Sequence, residues 1–138
     1  MDTRFDQLSH AKIRLLFHIV LATKYRRKIF DGMKQKVYES VGRCASVSDF
    51  DVLRCGIDHG DHMHLLVRIT SGDVSVGQVV RRIKQFTTND LYGDEDICEQ
   101  LQLTYKGRKR KLWSSGYFAA TVGNDANIVD AYIVQQAH

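Results

Sequence analysis

Two histidines separated by one apolar residue are the clearest sign of chemistry in the sequence. His62 and His64 flank Met63, and the apolar run that follows to Val67 is typical of a β-strand. Because alternate side chains of a strand point to the same face, both imidazoles project to one side. Two imidazoles on a rigid strand supply half of a metal site, whereas on a helix the same spacing would separate them.

The tripeptide also fits two less specific interpretations. The histidines can be unrelated residues that stand at this spacing by chance. They can also belong to a structural zinc site, which needs two further strong ligands. No C-x-x-C pair occurs among the three cysteines, so only Asp61 and His59 remain open as additional ligands.

A tyrosine and a glutamine near the C-terminus form a second pair. Tyr132 and Gln136 lie four residues apart in a segment predicted to be helical, so they share one helix face. Taken alone, Tyr132 is more simply explained as a core aromatic residue four positions after Ile128. Only the combination with the histidine pair favours a functional role for both residues.

Basic residues are clustered along the chain. Of the 20 lysines and arginines, four lie in Lys24–Lys28, three in Arg81–Lys84 and five in Lys106–Lys111. The net charge of +4 and the pI of about 9.0 are mild, so the clustering is more informative than the total. It suits contact with phosphates, although a solvated charged face would explain about half of these residues equally well.

Hydrophobic patterning predicts the elements that must position these groups. Period-two or continuous apolar runs predict strands over Ile13–Thr23, Phe50–Ile57, His62–Thr70 and Tyr117–Val122. The turn-like Asp58-His59-Gly60-Asp61 predicts that the second and third strands form a hairpin. Steps of three and four predict helices over Phe30–Cys44, Val76–Phe86 (with Ser75 as N-cap) and Ala126–Ala137. Most of Tyr92–Lys111 has little periodicity and is predicted to be a loop.

This order of elements predicts an α+β fold of the ferredoxin-like or RRM-like type. Two helices pack on one face of an antiparallel sheet, and an added C-terminal helix carries Tyr132. With 138 residues, 43% of them hydrophobic, the chain fits a single domain over residues 1–138. The longest apolar stretch, Leu15–Ala22, is too short to span a bilayer, and the N-terminus lacks a secretory signal, so a cytoplasmic protein is expected.

Five short motifs then follow one another along the chain. They are Phe17-His18-Ile19-Val20 with Lys24-Tyr25-Arg26, Asp61-His62-Met63-His64-Leu65-Leu66, Lys84-Gln85-Phe86-Thr87-Thr88, the run 112–118 with Thr121-Val122-Gly123, and Tyr132-Ile133-Val134-Gln135-Gln136. In this order they resemble the single-tyrosine HUH transposases, small enzymes of prokaryotic insertion sequences that move as single-stranded DNA. The resemblance covers roughly residues 16 to 136. Gly60 and Ser115 depart from it, because family members often carry proline there.

The resemblance implies a role for each of the four candidate side chains. His62, His64 and Gln136 would hold one divalent ion, Mg²⁺ with Mn²⁺ able to substitute. Tyr132 would attack the scissile phosphate and form a 5′-phosphotyrosine link. The DNA-binding candidates are Lys24, Arg26, Arg82, Lys84, Arg108, Lys109, Arg110 and Trp113, with Trp113, Tyr117 or Phe118 available to stack on an unpaired base.

The resemblance also implies partners. The first is single-stranded DNA, in the form of the hairpin ends of an insertion sequence. The second is another copy of the chain, since the apolar first strand would suit joining the sheets of two subunits. A cytoplasmic, nucleoid-associated enzyme is expected. Two alternatives stay open: a non-mobile HUH endonuclease, either replication-initiator-like or domesticated, and a non-catalytic ferredoxin-like module that binds nucleic acid.

Overall fold

The computed structural model describes residues 14–122, and within them four strands form one antiparallel sheet. The strands are β1 (Leu15–Ala22), β2 (Phe50–Asp58), β3 (His62–Ile69) and β4 (Phe118–Val122), in the spatial order β2-β3-β1-β4. Helix α1 (Lys34–Ser46) connects β1 to β2, and helices α2 (Val76–Tyr92) and α3 (Glu95–Tyr105) lie between β3 and β4. This confirms the predicted ferredoxin-like α+β arrangement. The predicted C-terminal helix lies outside the described residues.

The two faces of the sheet have different surroundings. Leu21 of β1 and Met63 of β3 are buried in the core that the helices share. Leu66, one position out of phase with that core, belongs to a small separate apolar cluster on the opposite face. Since side chains alternate along a strand, His62 and His64 also lie on this second face, called the histidine face below.

Strand β1 is an interior strand. It pairs with β3 on one side, with Val20 opposite His64 and Ala22 opposite His62, and with β4 on the other. Because both of its edges are hydrogen-bonded, the expectation that β1 could join the sheets of two subunits is wrong. Within residues 14–122, the free edges of the sheet are those of β2 and β4.

A tight turn joins β2 to β3 and confirms the predicted hairpin. His59 and Gly60 both have positive φ, 55° and 73°, as the two central residues of a type I′ turn require. A Cβ atom on Gly60 would lie only 2.6 Å from Oδ1 of Asp31. Proline, whose φ is fixed near −65°, cannot adopt this conformation. A proline at position 60, as family members often carry, would therefore require a different turn from the one seen here.

Helix α3 lies in the segment that was predicted to be a loop, so that prediction was wrong for its residues. Asp94 caps the helix, accepting a hydrogen bond from the backbone N–H of Ile97 at 3.1 Å. Ile97, Leu101 and Tyr105 recur at four-residue steps and are buried. The acidic first turn is also favourable near a helix N-terminus. No helix within residues 14–122 is long and apolar enough to cross a membrane.

Replacing Ser75 by alanine is expected to destabilise the fold by about 1 kcal/mol. Its hydroxyl accepts a hydrogen bond from the Gln78 N–H at 3.1 Å, and the Gln78 side chain accepts one from the Ser75 N–H at 2.8 Å. This capping box confirms Ser75 as the N-cap of α2. Urea unfolding followed by circular dichroism measures the loss, and Ser75→Thr, which keeps the acceptor, is the matched control. Equal stability of Ser75→Ala and the wild type would contradict this contribution.

Candidate functional site

The histidine pair lies on β3 as predicted, and both imidazoles project onto the histidine face. The side chain of His62 is 24% exposed and that of His64 only 9%. Each is supported by residues on neighbouring elements. The sheet therefore fixes the positions of both rings, and His62 is more accessible to solvent than His64.

His62 is held by one partner at each ring nitrogen. Its Nδ1 lies 2.6 Å from Oδ1 of Asp61, and its Nε2 lies 2.5 Å from Nη1 of Arg26. A guanidinium only donates hydrogen bonds, so Nε2 accepts and Nδ1 carries the proton that is donated to Asp61. The contact fixes the tautomer with the lone pair on Nε2, which is the arrangement found in histidine ligands with a carboxylate behind them.

His64 pairs with a third imidazole. Its Nδ1 lies 3.1 Å from Nε2 of His18 on β1, and the two rings stack with centroids 5.3 Å apart. Burial lowers the pKa of His18, and the neighbouring His64 lowers it further. Burial also lowers the pKa of His64, an effect that His62 reinforces and Asp58 opposes. Both rings are therefore neutral at pH 7, with one donating to the other.

A small cavity of about 250 Å³ adjoins His62 on the histidine face. Its wall includes Arg26 and the segment 114–118 that leads into β4. Tyr117 and Phe118 are 49% and 55% exposed, so aromatic surface is available beside this cavity. The side chain of His64 does not line it. The cavity is a place where a polar group could approach His62.

A larger cavity of about 630 Å³ gathers several of the predicted DNA-binding residues. Its lining includes Lys24, Lys84, Lys109, Arg110 and Trp113. Five of the eight candidates thus surround one space, although they come from three separate parts of the sequence. Ser114 and Ser115 line both this cavity and the one beside His62, so the two spaces are neighbours. The larger one is called the basic cavity below.

Lys84 and Trp113 make internal contacts at the basic cavity. The Lys84 ammonium donates to the carbonyl oxygens of Ser114 and Gly116 at 2.9 and 2.8 Å, and burial lowers its pKa. Trp113 is only 9% exposed, and its indole N–H donates to the Thr87 hydroxyl at 3.0 Å. Both side chains hold the segment that separates the two cavities.

The remaining candidates lie elsewhere. Arg82 packs over the Phe86 ring and donates to Oγ of Ser48 at 3.2 Å, so it belongs to a different surface from the basic cavity. Arg108 is exposed in the loop after α3. Tyr132 and Gln136 lie outside the described residues. Within residues 14–122, no three His, Cys, Asp or Glu side chains are grouped so that they could hold a metal ion.

Sequence reasoning assigned no role to His18, and none to Asp61 beyond that of an open alternative ligand. Asp61 could have been found from its position directly before the histidine motif, since a carboxylate often orients a ligating histidine. His18 gave no such signal, because its approach to His64 depends on the register of β1 against β3.

Solved transposases share this fold. A putative transposase from Deinococcus radiodurans R1 matches with a TM-score of 0.68 over 91% of this chain and 92% of its own, at 18% identity. A REP-associated tyrosine transposase, solved bound to a REP hairpin, matches with a TM-score of 0.59 over 88% of this chain and 64% of its own, at 13% identity. At these identities the likeness shows the fold alone, which is an α+β fold used by tyrosine transposases.

The family follows from the sequence matches. The family described as IS200-like transposase matches residues 11–136. Transposases for insertion sequence element IS200 from Salmonella typhimurium and Salmonella typhi are each 32% identical over 134 residues, which cover 94% of this chain and 81% of theirs. The chain belongs to the IS200-like transposase family, and the resemblance seen in the motifs is confirmed.

Replacing Lys84 by methionine is expected to loosen the segment between the two cavities. The Ser114 N–H donates to the Ala22 carbonyl oxygen at 2.9 Å, so its hydrogen exchange reports on that segment. Loss of the Lys84 bonds should speed this exchange about fivefold, equivalent to roughly 1 kcal/mol. Lys36→Met, which removes an exposed ion pair with Asp94, is the control and should leave it unchanged. Unchanged exchange in Lys84→Met would exclude this role.

Proposed function

We propose that this transposase cuts and rejoins single-stranded DNA through Tyr132, beside a divalent ion held by His62, His64 and Gln136. The proposal depends above all on the histidine pair, in which two imidazoles project from one strand to one face and Asp61 directs the lone pair of His62 to Nε2. The family match over residues 11–136 includes Tyr132 and Gln136, which supports their part in the site.

The donors within the described residues suit a divalent ion. His64 is neutral because burial lowers its pKa, and a neutral imidazole is the form that binds metals. The proposed set contains no carboxylate, so Mg²⁺ should bind weakly until a DNA phosphate adds oxygen ligands. Mn²⁺ accepts nitrogen ligands more readily and should substitute for it.

The proposed reaction exchanges one phosphate ester for another. The ion, when bound, neutralises charge on the non-bridging phosphate oxygens. Tyr132 gives up its phenolic proton, its oxygen bonds to phosphorus, and the bond from phosphorus to the 3′ oxygen breaks. The leaving oxygen takes up a proton and becomes a free 3′-hydroxyl. Attack by another 3′-hydroxyl on the tyrosine-linked phosphate reverses the step and joins new ends without ATP, so an insertion sequence can be excised and inserted.

Arg26 has two partners in this scheme. Its guanidinium lies at Nε2 of His62, the atom through which His62 would bind the ion. Two cations cannot share one lone pair, so the guanidinium would have to leave this nitrogen for His62 to hold the ion. Arg26 also lines the cavity beside His62, where a DNA phosphate offers it a charged acceptor.

Hairpin ends of an insertion sequence are the proposed DNA substrate, and a homodimer is the proposed assembly. One structural neighbour was solved bound to a REP hairpin, which supports hairpin DNA as the ligand class.

The proposed phosphate contacts are Lys24, Lys109 and Arg110 of the basic cavity. Because these contacts are electrostatic, DNA binding should weaken steeply with salt. Arg82 and Arg108 would contact DNA outside that cavity. The cytoplasm, at the nucleoid, is the proposed location.

Tyr132→Phe is expected to abolish a covalent protein–DNA adduct. The protein is mixed with 3′-labelled single-stranded DNA from an insertion-sequence end and Mg²⁺ or Mn²⁺, and a denaturing gel shows the adduct. Tyr117→Phe is the matched comparison, because Tyr117 is an exposed phenol beside His62, and this variant should still form the adduct. An adduct that persists in Tyr132→Phe and disappears in Tyr117→Phe would show that Tyr117, and not Tyr132, is the nucleophile.

Asp61→Ala is expected to lower the affinity for Mn²⁺ by about 10- to 100-fold, the usual effect of removing a carboxylate behind a ligating histidine. Calorimetry or the electron paramagnetic resonance of free Mn²⁺ measures the affinity. His64→Ala should reduce both metal binding and adduct formation, and a chelator should stop the reaction of the wild type. Asp73→Ala, in an exposed turn before α2, is the control. If both Asp61→Ala and His64→Ala bound Mn²⁺ with wild-type affinity, the ion would not be bound at this strand.

A further inference from the structure

Tyr25 occupies an exceptional position in the turn after β1. The residue is 64% exposed, and its ring contacts only the tilted ring of Tyr105 among the aromatic residues described, with centroids 6.3 Å apart. Its backbone has φ 59° and ψ 19°, a left-handed conformation that is unfavourable for a bulky residue. The turn is nevertheless fixed at both sides. Thr23 Oγ1 donates to the Arg27 carbonyl oxygen at 2.7 Å, and the Tyr105 hydroxyl donates to the Lys24 carbonyl oxygen at 2.9 Å. The surrounding bonds therefore hold an aromatic ring out in solvent at a cost in backbone strain.

Two ammonium groups lie over the Tyr25 ring. Lys24 Nζ lies 5.5 Å from its centroid and Lys111 Nζ lies 5.8 Å from it. Both distances are within the range of cation–π attraction. A planar base that stacks on the ring takes the place of an ammonium group over that face, and the displaced cation stays close enough to pair with a nucleotide phosphate. The combination of an exposed aromatic face and adjacent positive charge is the one that single-stranded nucleic acid requires.

Tyr25 also forms part of the wall of the basic cavity. Helix α2 contributes polar side chains to the lining of the same cavity, and these can bond to a base edge: Gln85, Thr88 and Asn89. The volume of about 630 Å³ is in the range of small-ligand pockets and admits a nucleotide. Trp113, by contrast, is buried and bonded to Thr87, so its ring is not available for stacking.

We propose that Tyr25 is the stacking platform for one unpaired nucleotide of the DNA substrate, seated in the basic cavity. The DNA class rests on the proposed function. Ser114 and Ser115 form the boundary with the cavity beside His62, so the strand passes from the seated nucleotide over these serines towards the histidine pair. The basic cavity thereby selects single-stranded over duplex DNA and positions the strand that is cut.

The test measures equilibrium DNA binding by the full-length protein in the presence of a chelator, so that no cleavage occurs. The probe is a fluorescent DNA hairpin with a single-stranded extension, in which abasic sites replace the nucleotides of the extension one at a time. The wild type should lose affinity about tenfold at one abasic position. Tyr25→Leu should bind the intact probe about tenfold more weakly and be insensitive to the abasic site at that position. Tyr25→Phe should behave like the wild type.

Two controls separate stacking from other effects. Leu103→Ala removes a 69%-exposed apolar side chain of α3 and should change nothing. Binding to a covalently closed circular duplex should be the same for Tyr25→Leu and the wild type, since every base in it is already stacked between its neighbours. An equal loss on duplex DNA, or abasic sensitivity retained in Tyr25→Leu, would overturn the proposal.

The outcomes also separate this proposal from the proposed function. If Tyr25→Leu binds the probe as well as the wild type while Tyr132→Phe still abolishes the adduct, only the stacking role fails. If the wild type binds no single-stranded DNA, both proposals fail. Thermal unfolding of Tyr25→Leu, expected near the wild-type midpoint because the ring is exposed, excludes loss of fold as the cause of weaker binding.

Discussion

The antiparallel register between β1 and β3 determines what surrounds the histidine pair. It brings His18 within 3.1 Å of His64 and sets the small side chain of Ala22 against His62. The same register directs Leu21 and Met63 into the helix-covered core. Because side chains alternate along a strand, a slip of one residue in β1 would turn His18 into that core and Leu21 out of it. Core packing therefore enforces the geometry of the candidate site.

The sequence predicted the parts of the site that are local and missed those that depend on tertiary pairing. The alternation around His62 and His64 and the turn at Gly60 are local features, and both were recognised. Helix α3 was missed because its apolar period consists of only three buried positions, Ile97, Leu101 and Tyr105, which lie among charged and polar residues typical of a loop. The left-handed turn at Tyr25 was not predictable, because its conformation is imposed by hydrogen bonds from distant residues such as Tyr105. Tyr132 and Gln136 lie outside the described residues.

Clustering in the sequence proved only a partial guide to clustering in space. Lys24, Lys84 and Lys109 come from three separate segments yet line one cavity, whereas Arg82, two residues before Lys84, lies on another surface. On a helix, residues two apart point in different directions, so a basic run on α2 is necessarily divided between surfaces. Lysines that line the same cavity also have different roles. Lys84 donates to the carbonyl oxygens of Ser114 and Gly116 and fixes that segment, whereas the ammonium group of Lys24 lies over the exposed Tyr25 ring.

The contact of Arg26 with His62 has a thermodynamic consequence. As long as the guanidinium occupies Nε2, the ion proposed to bind His62 would have to compete with a charge that belongs to the protein. At the proposed metal site, nucleic acid that drew Arg26 onto a phosphate would remove this competitor and raise the affinity for the ion, and by linkage the ion would raise the affinity for nucleic acid by the same factor. Such reciprocity would keep the resting enzyme poorly loaded and would assemble its reactive form only where both ligands are present together.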